Sequence, residues 1–387
     1  MARKILRINM NELKATYKDI PEKWARWGGR GLTSAIVSDE VDPTCHPLGP
    51  NNKLVIAPGW VSGTPAAPSS GRTSFGAKSP LTGTIKESNS GGLSSQKIAK
   101  LGLAAIIIEG SPKDGKWYTL HISKDGVKFE DASELLGKGM EEVDKICWEK
   151  YPNKPAVIGI GPVGEMKLTN AGISINDPEN NPGRYAGRGG LGAVMASRGI
   201  KVIVVDDKGG PGVEIANMEL FKKGRKKLTS AIMAHDLTKQ DGALNLYGTD
   251  VLMNIINEAG GLPSRNFSAG QFEGAAKISG EMIAEMVETR HAGKAGHACH
   301  PGCIIQCSNI YPDKDGSIIA SPIEYETAFA LGSNCGIDDL DYVAKMTKEC
   351  NDLGLDTIEM GNTIAIAMEG GLLEFGDKVG ALKLFDE

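Results

Sequence analysis

The sequence lacks an apolar run long enough to cross a membrane. Its longest such run, residues 103–108, is far shorter than the ~20 residues that a membrane helix needs. The basic start, residues 1–7, is not followed by the apolar stretch of a secretory signal peptide. We therefore expect a cytoplasmic protein that does not insert into a membrane.

An excess of positive charge is also missing. Lys and Arg number 43 against 48 Asp and Glu, which gives a formal net charge of -5 at pH 7. Nucleic acids are bound through their phosphates by basic surfaces. Nucleic acid is therefore not expected as a main partner, although a local basic pocket for a small anion is compatible with this charge.

Glycine, in contrast, is abundant. The chain has 50 glycines in 387 residues, about 13% where ~7% is usual. With 41% hydrophobic residues the composition is that of a globular protein. At roughly 150 residues per domain, the length predicts two to three domains.

The two parts of the chain differ in their apolar pattern, which predicts an α+β fold. Residues 1–208 are predicted to form a β-rich domain, with Asp125-Gly126 as a hairpin turn. Its glycine-rich connections are not expected to be helical, and without regular βαβ alternation a doubly wound sheet is not expected. Residues 209–387 have helical spacing, with Thr249 and Asp338 as predicted helix N-caps and Gly354 as a helix stop. No repeat with a period of 20–50 residues is visible. The predicted strands are residues 54–57, 104–109, 117–123, 127–130, 156–161 and 201–206.

Three glycine-rich segments lie in the β-rich part, namely residues 62–83, 89–92 and 183–192. Glycine lets the backbone approach a ligand and lets N–H groups point at an anion, and Arg72 and Arg184 add planar guanidinium groups that suit phosphate. These segments favour a phosphorylated cofactor, and the alternative is that they are only turns. Gly187-x-Gly189-x-x-Gly192 matches a dinucleotide fingerprint, but no clear strand is predicted to lead into it.

The cysteines Cys299, Cys303 and Cys307 fall within nine residues. Three thiolates on one loop indicate a metal site in a reducing compartment. An iron–sulfur cluster needs such ligands, usually four. Zinc is the alternative, with His297 or His300 as the fourth ligand, and three unrelated buried cysteines are the third possibility. We interpret the more distant Cys335 and Cys350 as core thiols.

Two acidic segments follow. Tyr325-Glu326 opens an apolar segment, where the carboxylate can be a general base or merely an acid favoured at a helix start. Residues 351–356 form a predicted helix C-terminus, where Asn351 and Asp356 would also be good acceptors for pterin N–H groups.

These motifs together resemble the tungsten-containing aldehyde:ferredoxin oxidoreductase family. The resemblance runs in order through nearly the whole chain. It implies an N-terminal β-rich domain that seats a tungsten or molybdenum bis-pterin, with Mg²⁺ bridging the pterin phosphates, followed by helical domains with a [4Fe–4S] cluster. The matching segments are residues 42–44, 62–64, 78–83, 89–92, 186–190, 247–249, 254–258 and 354–357.

The resemblance also implies roles for single residues. The thiols of Cys299, Cys303 and Cys307 match three cluster ligands. Glu326 would take a proton and Tyr325 would hold the carbonyl oxygen of an aldehyde as it is oxidised to a carboxylate, with ferredoxin accepting the electrons. The positions that match pterin contacts are Arg72, Asn89, Gly91, Arg184, Tyr185, Gly187, Asn351, Leu355 and Asp356.

The sequence departs from the family pattern at several positions. The cysteines have the spacing C-x3-C-x3-C in place of C-x2-C-x3-C, Asn351 replaces an aspartate, and Tyr185 replaces a small residue. The family's second pterin motif and fourth cluster cysteine have no counterpart in these 387 residues. We therefore keep as alternatives a partial, non-catalytic cofactor-binding or electron-transfer subunit completed by another chain, and a zinc-stabilised binding module.

Overall fold

The computed structural model describes residues 3–65 and 70–386, and the chain divides into two compact units. The first unit contains the chain up to Arg225 together with two later segments, His300–Cys303 and Asp352–Gly354. The second unit contains Lys226–Cys299, Ile304–Asn351 and the chain from Leu355 onward. The first is rich in strands and the second in helices, which confirms the predicted α+β class.

The first unit contains two six-stranded sheets. The strand order is β2-β1-β6-β3-β4-β5 in one sheet and β8-β7-β12-β9-β10-β11 in the other. The strands are β1 Lys4–Asn9, β2 Lys14–Asp19, β3 Lys53–Pro58, β4 Thr73–Lys78, β5 Ile85–Ser90, β6 Leu103–Glu109, β7 Tyr118–Ser123, β8 Gly126–Asp131, β9 Ala156–Gly159, β10 Ile173–Asn176, β11 Pro182–Ala186 and β12 Ile200–Val205.

The two sheets repeat one topology. Strand by strand the second order reproduces the first, and each sheet has a single parallel pair, β1 with β6 and β7 with β12. All other pairings within the two sheets are antiparallel. The repeat, residues 4–109 and 118–205, is longer than the 20–50-residue periods that the sequence analysis considered. The mixed pairing agrees with the expectation that the sheet is not doubly wound.

The central strands of both sheets are apolar on both faces. In β3, Leu54 and Ile56 join a core shared by the two sheets, while Val55 and Ala57 belong to a second core on the outer face of their sheet. A third core lies on the outer face of the other sheet, where Val202 takes part. Successive residues of one strand point to opposite faces of the sheet, and both faces are buried. This explains the continuous apolar runs 103–108 in β6 and 202–205 in β12.

The glycine-rich connections are not free of helices, and this part of the prediction is wrong. Helix α1 buries Leu32, Thr33, Ile36 and Val37 on one face, a spacing typical of a helix that packs on a sheet. Its glycine, serine and threonine residues obscure this pattern, and packing of the buried face supplies most of the stability of such a helix. The helices of this part are α1 Gly29–Glu40, α2 Ser94–Lys100, α3 Met140–Lys150, α4 Pro162–Glu165 and α5 Leu191–Ser197.

The second unit combines helices with a small antiparallel sheet, and α6 spans the boundary between the units. Close packing of α10 and α12 is possible because a β carbon at Gly361 would lie 2.4 Å from the carbonyl oxygen of Ala330. The elements are α6 Met218–Ala234, α7 Ala243–Tyr247, α8 Leu252–Glu258, α9 Gly280–Thr289, α10 Tyr325–Leu331, α11 Leu340–Leu353, α12 Thr357–Glu369 and α13 Lys378–Lys383, with strands β13 Lys294–His297, β14 Ser308–Pro312 and β15 Ile318–Ala320.

Two predicted N-caps are wrong. The carboxylate of Asp339, not Asp338, accepts hydrogen bonds from the backbone N–H groups of Asp341 and Tyr342 at the start of α11. Thr249 lies within a 3-10 turn, Thr249–Val251, and its hydroxyl donates to a glutamate elsewhere in the second unit. The predicted stop at Gly354 is confirmed, since this residue has a φ of +87° directly after α11.

None of the helices in the described parts of the chain has the length and apolar character needed to span a bilayer.

Candidate cofactor site

Each copy of the repeated topology ends its fifth strand in a glycine-rich junction that leads into a helix. Gly91 and Gly92 connect β5 to the residues before α2, and residues 187–190 connect β11 to α5. The backbone leaves no room for side chains here. A β carbon would lie 2.6 Å from Ile175 Cγ2 at Gly92 and 2.4 Å from the carbonyl oxygen of Thr169 at Gly190, and both glycines have positive φ. The two junctions are therefore equivalent sites of close backbone approach.

The two junctions lie next to each other in the first unit. Strand β5 contacts β11, and the backbone N–H of Leu93 donates to the carbonyl oxygen of Asn176 at 3.0 Å. The hydroxyl of Ser79 donates to the carbonyl oxygen of Gly189 at 2.7 Å. The described parts of the three glycine-rich segments singled out in the sequence are thus brought together by the fold, while residues 66–69 of the first segment lie outside the described residues.

Arg72 lies directly before β4, and its side chain is exposed. Its Nε donates to Asn89 Oδ1 at 2.9 Å across the β4–β5 pair. The hydroxyl of Ser95 donates to the carbonyl oxygen of Arg72 at 2.8 Å and also contacts the hydroxyl of Ser62. The backbone of Arg72 is thereby fixed, while its guanidinium faces the surface beside Asn89.

Arg184 and Tyr185 lie in β11, opposite Ile175 and Ser174 of β10. Arg184 is only 5% exposed, and Tyr185 is half-buried. A strand therefore does lead into Gly187-x-Gly189-x-x-Gly192, contrary to the sequence-based expectation. Because β11 pairs antiparallel with β10, the segment is the second strand of a hairpin and does not belong to a dinucleotide-binding βαβ unit.

The cysteine loop, residues 299–307, contains three thiols with different exposure. Cys303 is buried, whereas Cys299 and Cys307 are half-buried. Within five residues of chain, the Sγ atoms of Cys299 and Cys303 and a ring nitrogen of His300 all lie within 4.8 Å of one another. These are soft ligands at distances suited to a metal. Cys307 lies outside this group in the present geometry.

The two remaining cysteines of the helical part, Cys335 and Cys350, are fully buried. The thiol of Cys335 donates to the carbonyl oxygen of Ala330 at 3.3 Å. Burial raises the pKa of Cys335 to about 12 and that of Cys350 well above its ordinary value. Both residues are core thiols, as interpreted from the sequence. All seven cysteines of the chain are described, and none forms a disulfide.

His300 packs against the first glycine-rich segment. The residue is 1% exposed, and a β carbon at Gly71 would lie 2.3 Å from His300 Nδ1. Gly71 directly precedes Arg72, so this histidine brings the cysteine loop to the Arg72 segment within the first unit. Sequence reasoning considered His300 only as a zinc ligand and missed the contact, which joins residues far apart in the chain.

In the second unit, Tyr325 and Glu326 form the start of α10 as predicted. The preceding residue, Glu324, accepts hydrogen bonds from Thr249 Oγ1 at 2.6 Å and from Ser308 Oγ at 2.9 Å. The Thr249 hydroxyl also accepts from the backbone N–H of Tyr325 at 3.0 Å. Since Ser308 directly follows Cys307, the end of the cysteine loop is attached to the start of α10. Sequence reasoning assigned no role to Glu324 and considered Thr249 only as a helix N-cap and as part of a family motif.

The predicted pterin motif, residues 351–356, spans the end of α11 and the start of α12. Asn351 is half-buried, and Leu355 is 7% exposed, with its backbone N–H donating to the carbonyl oxygen of Cys350 at 2.8 Å. Asp356 caps α12, since its Oδ1 accepts from the backbone N–H of Ile358 at 3.0 Å. One carboxylate oxygen of Asp356 therefore has a structural role.

Comparison with known protein families shows to which family this chain belongs. The family model described as aldehyde ferredoxin oxidoreductase, N-terminal domain, matches residues 5–207, and the model for domains 2 and 3 of the same family matches residues 223–385. The chain belongs to the aldehyde ferredoxin oxidoreductase family.

Particular relatives include the tungsten-containing aldehyde ferredoxin oxidoreductases of Thermococcus kodakarensis, 37% identical over 369 residues, and Pyrococcus abyssi, 39% identical over 376 residues. A WOR-like subunit of an aliphatic sulfonate oxidoreductase of Pyrococcus furiosus is 26% identical over 392 residues. Each alignment covers 95% of this chain and 58% of the relative. The chain thus spans little more than half the length of these curated relatives.

A solved structure has the same fold. A chain of the active site complex BamBC of benzoyl coenzyme A reductase, in complex with 1,5-dienoyl-CoA, matches with a TM-score of 0.78 at 23% identity. The match covers 96% of this chain and 56% of that chain.

The residues present fit the cofactors that the family name implies. The glycine junctions present backbone without side chains, packed closely against neighbouring residues of the first unit, and Arg72 and Arg184 provide guanidinium groups for an anionic ligand. The cysteine loop provides thiols, the ligand type that iron–sulfur clusters use.

Proposed function

We propose that this chain holds a tungsten or molybdenum bis-pterin and a [4Fe–4S] cluster, and contributes the larger part of an oxidoreductase that converts an aldehyde to a carboxylic acid. One observation carries the proposal: the two equivalent glycine junctions meet in one unit, beside the arginine segment on which the cysteine-loop histidine packs. Two equivalent junctions would provide one backbone contact site for each of two pterins.

The pterins would be held by the first unit. Arg72 and Arg184 would donate charge-assisted hydrogen bonds to phosphate oxygens, and Asn89 fixes the orientation of the Arg72 guanidinium. Backbone N–H groups at Gly91 and Gly187 would contact the ligand where no side chain intervenes. Tyr185 contributes an aromatic edge near Gly187, where Gly172 allows their close approach.

The cluster would be held by the thiolates of Cys299, Cys303 and Cys307, with the fourth ligand supplied from outside these residues. Ferredoxin would accept the electrons. The zinc-site alternative uses His300 with Cys299 and Cys303, the group that already lies within 4.8 Å, and predicts zinc in place of iron.

When bound, the metal would supply two-electron redox chemistry and polarise the carbonyl oxygen. Tyr325 would donate its hydroxyl proton in a hydrogen bond to that oxygen. Burial, and to a lesser degree the charge of Glu326, raise the pKa of Tyr325 above its ordinary value, so its hydroxyl keeps its proton at neutral pH. Water would supply the second oxygen of the acid, and Glu326 would take one of the two protons released as two electrons leave the substrate.

A second candidate is a partial subunit that binds cofactors and transfers electrons only when another chain completes it. In that case the other chain would carry the counterpart of the part of the relatives that this chain does not match. The names of the relatives also extend the range of substrates to be tried beyond aldehydes, to an aliphatic sulfonate and an aromatic coenzyme A thioester.

The test is a steady-state assay of viologen reduction, carried out without oxygen on protein purified together with any chain that accompanies it. The expected result is reduction that depends on an aldehyde. Reduction with only a sulfonate or a thioester would contradict the aldehyde assignment, and no reduction with any substrate by metal-loaded protein would favour the partial subunit.

A further inference from the structure

Asp250 is a carboxyl group that the reaction described above does not use. It lies in the 3-10 turn Thr249–Val251 of the second unit and has no exposed surface. Neither of its carboxyl oxygens has a hydrogen-bond partner among the described residues. An ionised carboxylate in such a place would lose its hydration without compensation.

The helices that pack against this turn carry no positive charge. The turn packs against α7, α8, α9 and α10, and none of these helices contains Lys, Arg or His. The titratable groups on these helices and at the residue before α10 are Tyr247, Glu258, Glu281, Glu285, Glu288, Glu324, Tyr325 and Glu326.

A metal ion does not explain the buried carboxyl either. Within the described residues, the groups of side chains close enough to share an ion do not include Asp250. A bound proton, which leaves the carboxyl group neutral, is therefore the simplest explanation of its burial. Burial first, and the charge of Glu324 second, raise the pKa of Asp250 well above its ordinary value, while its own backbone N–H lowers it to a smaller extent.

The carboxyl group of Glu324, unlike that of Asp250, is hydrogen-bonded. Its two carboxylate oxygens accept the hydroxyl protons of Thr249 and Ser308, an arrangement that stabilises a carboxylate. Thr249 is the chain neighbour of Asp250 and also accepts the backbone N–H of Tyr325. The turn that contains Asp250 therefore packs at the start of α10, where the hydroxyl of the neighbouring Thr249 joins Glu324 to the backbone of Tyr325.

We propose that Asp250 is a protonated carboxylic acid at neutral pH that forms, with ionised Glu324, an acid pair of one proton and one charge behind the start of α10. Asp250 is a positioning residue in this pair. Its neutrality lets Glu324 stay charged and hold Thr249, which in turn holds the backbone of Tyr325. The proposal concerns the chain's own geometry and does not depend on the oxidoreductase reaction.

The first test is infrared difference spectroscopy of the whole chain at pH 7, because a protonated carboxyl has a C=O stretch that a carboxylate lacks. Asp250→Asn should remove one such band. Asp144, a second buried carboxyl without a partner, should give a separate band that only Asp144→Asn removes. Glu285→Gln, which removes an exposed carboxylate from α9, should leave both bands unchanged.

The second test is the pH dependence of unfolding. Since the folded chain binds the proton of Asp250 more tightly than the unfolded chain, stability falls as the pH rises from the unfolded value, about 4, towards the folded pKa. Asn is neutral at every pH. The unfolding constant of the wild type, divided by that of Asp250→Asn, should therefore rise by up to about tenfold per pH unit in this window.

The control variant Glu285→Gln should leave the wild-type slope unchanged, whereas Glu324→Gln should reduce it, because the charge that raises the pKa of Asp250 is removed. Absence of the Asp250 band at pH 7 would overturn the proposal. So would a ratio of unfolding constants that does not change with pH, since it would mean that Asp250 is ionised in the folded chain.

Discussion

Cys303 is the buried member of the cysteine loop, and it tests the cluster at the scale of one residue. Cys303→Ser should lose the visible absorbance and most of the iron, because serine is a poorer ligand than thiolate. The far-ultraviolet circular dichroism of the sheets should be retained. Cys45→Ser, at a half-exposed position in the first unit, is the matched control. Unchanged iron and absorbance in Cys303→Ser would show that this thiol is not a ligand.

Substitutions of Arg72 and Arg184 test whether the first unit binds pterins through these guanidinium groups. Replacing either with alanine should lower tungsten or molybdenum occupancy, because charge-assisted bonds to the ligand are lost. Lys223→Ala should have no effect, since Lys223 is an exposed cation on α6. The measurement is metal content by mass spectrometry on samples matched for folded protein. If both arginine variants retain full occupancy, the glycine-rich segments are only turns.

Substitution of Glu326 tests its proposed role as a general base. In a complete enzyme, Glu326→Gln should keep metal, cluster and fold but slow turnover, because glutamine is near-isosteric and cannot take the proton. A positioned general base typically contributes ~10²–10⁴-fold. If Glu326 only favours the helix start, the cost is ~0.3–1 kcal/mol of stability with turnover unchanged. Steady-state aldehyde oxidation on metal-matched preparations distinguishes the two, and a variant within about twofold of wild type contradicts the catalytic role.

At the scale of elements, the contact of the cysteine loop with the segment before β4 depends on a single glycine. Gly71→Ala should displace His300, because the new β carbon would lie 2.3 Å from its ring. We expect a loss of stability of ~1–3 kcal/mol and reduced iron content. Gly224→Ala is the matched control, since nothing lies within 4 Å of a β carbon there and alanine favours a helix by up to ~1 kcal/mol. Equal melting temperatures and iron contents in the two variants would contradict the packing described here.

The elements that could be predicted from the sequence are those with local causes. The β7–β8 hairpin follows from Asp125-Gly126, and strands such as β12 follow from short apolar runs bounded by turn residues. Helix α1 and the polar strand β5 could not be predicted in this way, because packing in the first unit stabilises them against weak local preference.

The same distinction applies to the candidate site. Glycine-rich segments and closely spaced cysteines are visible as patterns in the chain. The contact of His300 with Gly71, and the hydrogen bond between Thr249 and Glu324, join residues that are distant in sequence. Only the fold brings such residues together, so no local pattern indicates them.

At the scale of the whole molecule, two observations matter: the repeated sheet topology, which concerns how cofactors would be bound, and the greater length of the relatives, which concerns what lies outside the matched part. The two equivalent glycine junctions of the repeat would suit two pterins. The relatives extend well beyond the part that this chain matches. We therefore expect cofactors to be bound mainly by these residues, with the fourth cluster ligand supplied from outside them.

The most direct test of this central claim is the elemental content of the protein, purified without oxygen from cells supplied with tungsten and molybdenum. We expect tungsten or molybdenum together with about four irons per chain, as a [4Fe–4S] cluster requires. Iron without tungsten or molybdenum would leave only an electron carrier. Zinc alone, bound through Cys299, His300 and Cys303, would contradict the account and leave a zinc-stabilised binding module.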